Sequence, residues 1–278
     1  GLAVLFQILL HATMPMGLIV WDPLTGERHN HLTIPPGLNG DKWNYWNAIV
    51  LCTNVEDGHV HGDCFSSPFK LVLICNRYEQ AFASLYDSTS RAWGDISSMA
   101  IENKIHWTRY SILVGNVLCW AICGGDALVF DTEMQSLAVI EKPADKNAIS
   151  DWSFQLLRME NDGLGLAILL DLTIKLWERK SNCDGVFEWV LLQKTIPLEG
   201  MVPRRMDSAL FVGYDEDANV IVLTTITGNF TLQVDSMQIK HIVKRNNICY
   251  DPFYPYTNFY TAGNTSLSTL HKQNRSVS

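Results

Sequence analysis

The chain has 278 residues and a mass of 31.4 kDa, a length that suits one large β domain or two domains of average size. Hydrophobic residues make up 47% of it and charged residues 18%, which is typical of folded globular proteins and not of disordered segments. Because 29 acidic residues outnumber 21 basic ones, the net charge of −8 disfavours binding to nucleic acid or to an anionic membrane.

The N-terminal region opens with the apolar run 2–10, which includes Gln7 and is much shorter than the roughly 20 residues of a membrane-spanning helix. No charged segment precedes this run, so it does not resemble a secretory signal. Since the chain starts at Gly1 and not at Met, we expect further residues upstream.

Most of the chain consists of short apolar runs separated by turn residues, and the periodicity of helices is scarce. The runs are rich in Val, Ile, Leu, Phe, Tyr and Trp, which favours β-strands. We predict strands at 17–21, 48–52, 69–75, 81–86, 111–121, 127–130, 164–170, 173–177, 189–193, 209–212, 220–225 and 230–234. The best helical candidate, 145–157, has only a weak pattern.

One sequence phrase recurs five times: alternating apolar residues, an aromatic residue, an acidic residue and a polar turn. The acidic position is occupied by Asp22, Asp87, Asp131, Glu178 and Asp235. The residue before it is Trp21, Tyr86, Phe130, Trp177 and, in the fifth copy, Val234. Successive acidic positions average about 53 residues apart, close to the roughly 40–50 residues of propeller blade repeats.

The phrase has a mechanical explanation. The aromatic side chain fills space between neighbouring sheets, and the carboxylate starts a turn by accepting a hydrogen bond from the amide two residues on. Gly26 supplies a left-handed residue in the first copy, whereas Arg91 and Gln135 at the same position predict different loops or strain. We therefore predict an all-β chain folded as a kelch-like β-propeller of six blades, incomplete at its N-terminus. A β-sandwich or barrel is the alternative.

Several segments also match the amino-acid sequences of a known family. The segment Leu18–His29 reads LIVWDPLTGERH and is followed by Ile34-Pro35-Pro36. Further matching segments follow in order at 44–52, 67–73, 83–88 with Trp93, 113–120, 162–165, 176–180 and 254–261. Their order and spacing resemble the F-box-associated β-propeller domain of plant F-box proteins, especially the group expanded in grasses. The resemblance covers residues 1–262 and predicts one propeller domain there, followed by a disordered tail at 263–278.

The resemblance implies a function in protein recognition. Family members carry an F-box near the N-terminus, which docks a Skp1-type adaptor of an SCF-type E3 ubiquitin ligase, and the propeller holds the protein to be degraded. Nothing in this sequence matches an F-box, so adaptor docking is assigned to no residue here. The acidic balance favours a target of basic character.

Few residue patterns point to catalysis or to a cofactor. His59, His61, Asp63 and Cys64 could ligate zinc, but they read as part of a polar insertion loop. His29 and His31 alternate on one predicted strand, and Gly163-Leu164-Gly165 lacks the third glycine of a dinucleotide fingerprint. Trp43, Tyr45 and Trp46 lie in a loop-like stretch, where they either anchor a partner or pack between blades. We therefore predict no catalytic, metal or cofactor site, and leave the binding residues open.

The cysteines bear on the cellular compartment. The seven cysteines are an odd number with no Cys-x-x-Cys pair, and most have apolar neighbours. This predicts free thiols in a reducing compartment, the cytoplasm or the nucleus.

Three functions remain open from the sequence. The first is a protein-interaction module with an unidentified protein target, neither an enzyme nor a binder of nucleic acid or membrane. The second is a propeller enzyme, an oxidase or a glycan hydrolase. The third is a truncated gene product without a function of its own.

Overall fold

The computed structural model describes residues 3–8, 15–21, 28–38, 45–53, 68–106, 109, 111–143, 149–170, 172–198 and 209–244. Within these ranges the chain forms twenty β-strands and two short 3-10 turns, at Pro36–Leu38 and Glu160–Asp162. No helical segment in the described part of the chain has the length and apolarity needed to cross a membrane.

The strands form five antiparallel sheets in chain order. Sheet 1 contains β1 (Ala3–Ile8), β2 (Pro15–Trp21) and β3 (Arg28–Leu32). Sheet 2 contains β4 (Tyr45–Cys52), β5 (Phe69–Arg77) and β6 (Gln80–Asp87). Two short strands, β7 (Ala92–Trp93) and β8 (Ser97–Ala100), pair one after the other with opposite ends of β6. Sheet 3 contains β9 (Ile112–Val114), β10 (Val117–Ala121), β11 (Ala127–Asp131) and β12 (Ser136–Ile140).

The last two sheets repeat the same plan. Sheet 4 contains β13 (Phe154–Met159), β14 (Gly163–Leu170), β15 (Thr173–Ser181) and β16 (Phe187–Pro197). Sheet 5 contains β17 (Leu210–Asp215), β18 (Val220–Thr225), β19 (Gly228–Gln233) and β20 (Gln238–Lys244). Apart from β8, which pairs with β6, each strand pairs with its neighbour in sequence, so every sheet follows a meander.

The middle strands are buried on both faces. In β5 the consecutive residues Leu71–Asn76 are all buried, the pattern of a strand covered by a layer on each side. The two sets of side chains then separate by their period of two. Leu71 and Leu73 pack with Leu18 of sheet 1, whereas Val72 and Ile74 pack in a second cluster with residues of sheet 3.

The same stacking continues through the molecule. Trp120 and Phe130 of sheet 3 are almost completely buried in the cluster shared with sheet 2. A third cluster joins sheets 3, 4 and 5, and the first strands β9, β13 and β17 contact one another in succession. Meanders that stack on both faces and meet along their first strands are the blades of a β-propeller.

The repeated aromatic position fills the space between sheets, as predicted. Tyr86 lies in the cluster of sheets 1 and 2, Phe130 in that of sheets 2 and 3, and Val234 in that of sheets 3 to 5. Trp177 is half-buried against the same third cluster, and Trp21 is also half-buried. The phrase therefore contributes a large side chain to each of the three clusters between sheets.

Three local predictions were wrong. The helical candidate 145–157 contains the start of β13, and Ser150–Ser153 forms a turn before it. The single strand predicted at 111–121 is split into β9 and β10, because Gly115 takes a φ of +56° in the turn between them. Tyr45 and Trp46 begin β4 and do not lie in a loop. The count of six blades stays a prediction, since the described residues form five sheets.

Candidate interaction faces

The meanders present two sets of turns at opposite ends of their strands. We call one the acidic face; it carries the turns from first to second strand and from third to fourth strand. We call the other the crossover face; it carries the turns from second to third strand and the connections between sheets. Backbone bonds join the members of each set: Thr132 N donates to Asn116 O at 3.0 Å on the acidic face. On the crossover face, Phe211 N donates to Trp152 O at 2.9 Å.

Acidic residues pin the turns of the acidic face. Asp87 Oδ1 accepts bonds from Thr89 N at 2.7 Å and Ser90 N at 3.4 Å, and this bonding lowers the pKa of Asp87. Asp131 Oδ1 accepts bonds from Glu133 N at 2.8 Å and Met134 N at 2.9 Å. The turn role predicted from the repeated phrase is confirmed for these two residues.

The fourth copy of the phrase departs from that role. Glu178 lies inside β15, which continues to Ser181, and its carboxylate pairs with Lys180 at 2.7 Å. Asn182 forms the turn in its place, because its Oδ1 accepts bonds from Asp184 N at 3.0 Å and Val186 N at 2.9 Å. Asp235 accepts a bond from Asn219 Nδ2 at 2.8 Å, which joins two turns of sheet 5. Asp22 lies outside the described residues.

The predicted strain is present at the glycine position of the phrase. Arg91 has a φ of +55° and Gln135 a φ of +50°, so both adopt the left-handed conformation that glycine takes most easily. The Gly26 loop lies outside the described residues. The turn from the third to the fourth strand therefore contains a left-handed residue in both sheet 2 and sheet 3, although neither has glycine at this position.

The acidic face carries much of the negative charge of the described residues. Its turns contain the acidic residues Asp87, Asp131, Glu133, Glu160, Asp162, Asp184, Asp215, Glu216, Asp217 and Asp235. Arg158 beside this face pairs with Asp162 at 2.6 Å. Met134 stands among these carboxylates with 76% of its surface exposed. The face thus combines excess negative charge with an exposed flexible apolar side chain.

The crossover face is held together by contacts between sheets. Asp151, in the connection from sheet 3 to sheet 4, accepts a bond from Gly124 N at 2.9 Å. Lys142 Nζ donates to Gly124 O at 2.9 Å. Trp93 Nε1 donates to Thr33 O at 2.9 Å and Trp189 Nε1 to Glu141 O at 2.6 Å, so two outer strands are tied to the connection that precedes their own sheet.

Arg109 is the most deeply buried charged side chain described in these connections, with 4% of its surface exposed. Its Nη1 donates to Gln155 Oε1 at 2.8 Å and its Nη2 lies 3.5 Å from Asp151 O. The guanidinium carbon stands 5.6 Å from the centre of the Trp152 ring. Burial lowers the pKa of Arg109 to about 9, at which the guanidinium still carries its charge at neutral pH.

His106 packs in the same cluster. Its ring meets the ring of Trp152 edge-on at 5.2 Å between centroids and that of Phe154 at 6.4 Å. Burial lowers the pKa of His106 to about 4, and the positive charge of Arg109 adds to the effect. The imidazole is therefore neutral at physiological pH.

Sequence reasoning missed this His106–Arg109 cluster. Arg109 and Gln155 are 46 residues apart and meet only because the connections of sheets 3 and 4 stack together. No spacing rule along the chain links an arginine, a glutamine and a tryptophan of this kind. Because the His106–Arg109 cluster contacts two sheets, it holds neighbouring blades together.

The described residues provide little for nucleophilic chemistry. Burial raises the pKa of the thiols of Cys119 to about 12 and Cys123 to about 11, and it raises that of Cys75 further. The five cysteines of the described ranges are free thiols, and Cys183 is exposed at the tip of the β15–β16 hairpin. In those ranges no group of three or more His, Cys, Asp or Glu side chains is arranged to hold a metal ion.

The other residues singled out in the sequence have varied positions. Gly163 and Gly165 lie in β14 directly after a 3-10 turn, as predicted, and not in a phosphate-binding loop. Trp46 is half-buried and packs against the core of sheets 1 and 2, which agrees with the packing alternative. His29 and His31 lie in β3, whereas Trp43 and the candidate zinc ligands His59, His61, Asp63 and Cys64 lie outside the described residues.

Exposed apolar side chains also mark the crossover face. Tyr78, at a turn tip of sheet 2, is 63% exposed, and the Arg77 guanidinium carbon lies 5.8 Å from the centre of its ring. Ile226, at the equivalent turn of sheet 5, is 37% exposed. Both faces therefore offer side chains for contact, but only the acidic face adds a strong excess of charge.

Comparison with solved structures finds remote likenesses. The β-propeller domain of Cps50 (Swd1) from Myceliophthora thermophila is 11% identical with a TM-score of 0.43, over 82% of this chain and 67% of that one. KlAtg21, solved in complex with the coiled coil of AgAtg16, is 13% identical with a TM-score of 0.43, over 88% and 68% of the two chains. An extracellular domain of BT4673 from B. thetaiotaomicron is 13% identical with a TM-score of 0.40 over 84% of this chain.

The chain spans only 26% of the BT4673 chain. These TM-scores are below 0.5, so they add nothing to the sheet order as an argument for the fold. No curated protein sequence matches the chain.

A family model gives the decisive match. Residues 3–248 match the model described as "F-box protein AT5G49610-like, beta-propeller", which spans all five sheets. This confirms the predicted all-β propeller and the resemblance to an F-box-associated domain. The chain belongs to the AT5G49610-like family of F-box protein β-propellers.

Proposed function

We propose that this chain is the substrate-recognition part of an F-box protein that acts in an SCF-type E3 ubiquitin ligase. The observation that carries the proposal is the family match over residues 3–248, which makes the chain a β-propeller of an F-box protein family. A stack of meanders with two faces of exposed turns is well suited to holding a protein. The kelch-like character, the plant origin and the ligase itself are part of this proposal.

The proposed target is a protein with basic character. Exposed carboxylates such as Glu133, Glu160 and Asp217 on the acidic face attract a basic segment and speed its encounter. Met134 adds an apolar contact that adapts to different shapes. The target is met in the cytoplasm or the nucleus, as free thiols suit a reducing compartment.

The proposed role needs no chemistry on this chain. The buried thiols of Cys75 and Cys119 are protonated at neutral pH, and the pKa of His106 is too low for a general base near pH 7. We therefore propose a binding module rather than an enzyme, with residues 1–262 as its domain and 263–278 as its tail.

The ligase role is tested with the longer gene product that contains this chain. Purified longer protein is expected to bind a purified Skp1-type adaptor, and the 278-residue chain alone is expected not to bind it. Failure of the folded longer protein to bind any adaptor of this type contradicts the ligase role.

The choice of face is tested separately once a target is in hand. Glu133→Lys with Asp217→Lys reverses exposed charges on the acidic face, and Tyr78→Ala with Ile226→Ala removes apolar side chains from the crossover face. We expect the charge reversal to weaken target binding at least about tenfold, and more at low salt than at high salt. Loss of binding only in the crossover-face variant contradicts the assignment of the target to the acidic face.

A further inference from the structure

The hairpin of β15 and β16 reaches beyond the rest of sheet 4. The pairing of β14 with β15 ends at Gly165 and Glu178, whereas the pairing of β15 with β16 continues to Ser181 and Phe187. β16 has 11 residues, against five in β12 and seven in β20, the outer strands of the neighbouring sheets. We call residues 177–191 the projecting hairpin; its tip lies on the acidic face.

The projecting hairpin is held in shape by its own hydrogen bonds. Asn182 N donates to Val186 O at 2.8 Å, and Gly185 N donates to Asn182 O at 3.1 Å. The Arg179 guanidinium carbon stands 5.3 Å from the centre of the Phe187 ring. The hairpin therefore presents a formed surface, which a partner does not have to order on binding.

Exposed apolar side chains are concentrated in this hairpin. Val186, Phe187, Val190 and Leu191 are between 39% and 60% exposed. They are four of the ten large hydrophobic side chains that are exposed in the described residues. Because successive side chains of a strand alternate, Phe187 and Leu191 point to one side of the hairpin and Val190 points to the other. Both sides of the hairpin are thus available for apolar contact.

The outer edge of β16 is open along the same stretch. Among the described strands, β16 pairs with β15 alone. Proteins commonly protect edge strands with bulges and prolines, and the crossover end of β16 has both: the register shifts between Lys175 and Trp177, and Pro197 ends the strand. From Phe187 to Leu191 the pairing is regular, so the edge can accept another strand there.

The charges of the hairpin indicate what kind of strand fits this edge. Glu178, Lys180 and Glu188 share one side, since Lys180 lies opposite Glu188 in the register. Lys180 pairs with Glu178 at 2.7 Å, so the three charges leave one negative charge in excess on this side. An added strand therefore fits best with basic residues on the side of Glu188 and apolar residues on the side of Phe187.

We propose that the outer edge of β16 binds an extended segment of the target protein as an added strand along residues 187–191. In this segment apolar and basic residues alternate, with the apolar ones beside Phe187 and Leu191. The proposal rests on the recognition function proposed above and states what kind of segment is recognised. The competing occupant is a second copy of this chain, paired edge to edge through β16.

A synthetic peptide tests the proposal without a known target. The probe is a fluorescently labelled peptide of about seven residues, a common strand length, in which lysine and valine alternate. Fluorescence anisotropy is expected to show saturable binding to the unchanged chain. N-methylation of all valine amides or of all lysine amides removes the donors from one edge of the peptide. We expect one methylated peptide to bind at least about tenfold more weakly and the other to bind like the probe. No binding of the probe, or equal binding of both methylated peptides, overturns the proposal.

Variants of the chain locate the site. Phe187→Ala with Leu191→Ala is expected to weaken binding of the probe at least about tenfold. Tyr78→Ala with Ile226→Ala, a matched control of similar exposure on the crossover face, is expected to change it less than about twofold. Glu188→Lys is expected to favour a peptide in which glutamate replaces lysine. Equal effects of the two double variants overturn the assignment to β16, and circular dichroism checks that each variant is folded.

Analytical ultracentrifugation of the unchanged chain distinguishes the competing occupant. We expect a monomer; a dimer that Phe187→Ala with Leu191→Ala dissociates overturns the proposal. The result is separable from the ligase role. A longer protein that binds no Skp1-type adaptor contradicts the ligase and leaves peptide binding in place, whereas a chain that binds no peptide overturns only the added strand.

Discussion

The acidic face and the crossover face differ in how the polar groups at the ends of the strands find their hydrogen-bond partners. On the acidic face most side-chain bonds lie within one turn, as at Asp131 with the amides two and three residues on, or between two turns of one sheet, as between Asn219 and Asp235. On the crossover face the bonds join residues far apart in the sequence, as between Arg109 and Gln155 or between Gly124 and Asp151. The bonds of the acidic face thus lie mostly within single sheets, whereas those of the crossover face join neighbouring sheets.

This difference separates two tasks. A turn that satisfies its own backbone can change its exposed side chains without disturbing the neighbouring blades. The crossover face has less freedom, because its buried polar groups leave unpaired partners when one of them is removed. We infer that exposed side chains of the acidic face can change at little cost in stability, while the buried contacts of the crossover face contribute more to the stability of the stack.

The largest effect is expected at Arg109. Arg109→Ala removes the donor to Gln155 Oε1 and leaves space beside Trp152, so we expect a loss of about 3–5 kcal/mol in the free energy of unfolding. Urea unfolding measures the change. Arg77→Ala, an exposed arginine at a turn of the same face, is the control and is expected to cost less than about 0.5 kcal/mol. Equal losses in the free energy of unfolding for the two variants would contradict the role of the buried Arg109 contacts in joining the sheets.

More of the acidic face than of the crossover face could be predicted from the sequence. The reason is that the bonds of the acidic-face turns join residues close in sequence, whereas those of the crossover face join residues far apart. The turns at Asp87 and Asp131 follow from side-chain chemistry within four residues, so the repeated phrase was enough to predict them. The place of Arg109 depends on how two sheets stack, which no local pattern encodes. The strand split at Gly115 was missed for a similar reason, since a short apolar run does not show where a hairpin turns.

The next effect concerns pH and again belongs to the crossover face. Because burial lowers the pKa of His106 to about 4, the unfolded chain takes up a proton at this residue from about pH 6.5 downward and the folded chain does not. This stability is fully present above about pH 6.5 and is lost as the pH falls towards 4, by about 3 kcal/mol in total.

His106→Gln tests this dependence, because glutamine keeps a polar group and does not titrate. We expect the free energy of unfolding of the variant to fall less between pH 7 and pH 4 than that of the unchanged protein. Parallel curves for the variant and the unchanged protein contradict the assignment to His106.

A smaller effect is expected on the acidic face. Asp131→Ala leaves the amides of Glu133 and Met134 to water, and because the turn is exposed we expect a loss of about 1 kcal/mol. Asp217→Ala changes an exposed acidic residue of the same face and is expected to stay within about 0.5 kcal/mol of the unchanged protein. Chemical denaturation distinguishes the two, and a cost at Asp131 as large as that at Arg109 would show that this face also joins the sheets.

The smallest expected effect is a gain in stability from a substitution at Arg91. Its φ of +55° is a strained conformation for any residue with a Cβ atom, and glycine relieves it at some cost in chain entropy. We expect Arg91→Gly to raise the free energy of unfolding by about 0.5 kcal/mol, read as a higher urea midpoint. Arg91→Ala removes the same exposed side chain but keeps the strain, so it should give no gain. If alanine stabilises as much as glycine, the side chain is the source of the effect, and relief of backbone strain no longer explains it.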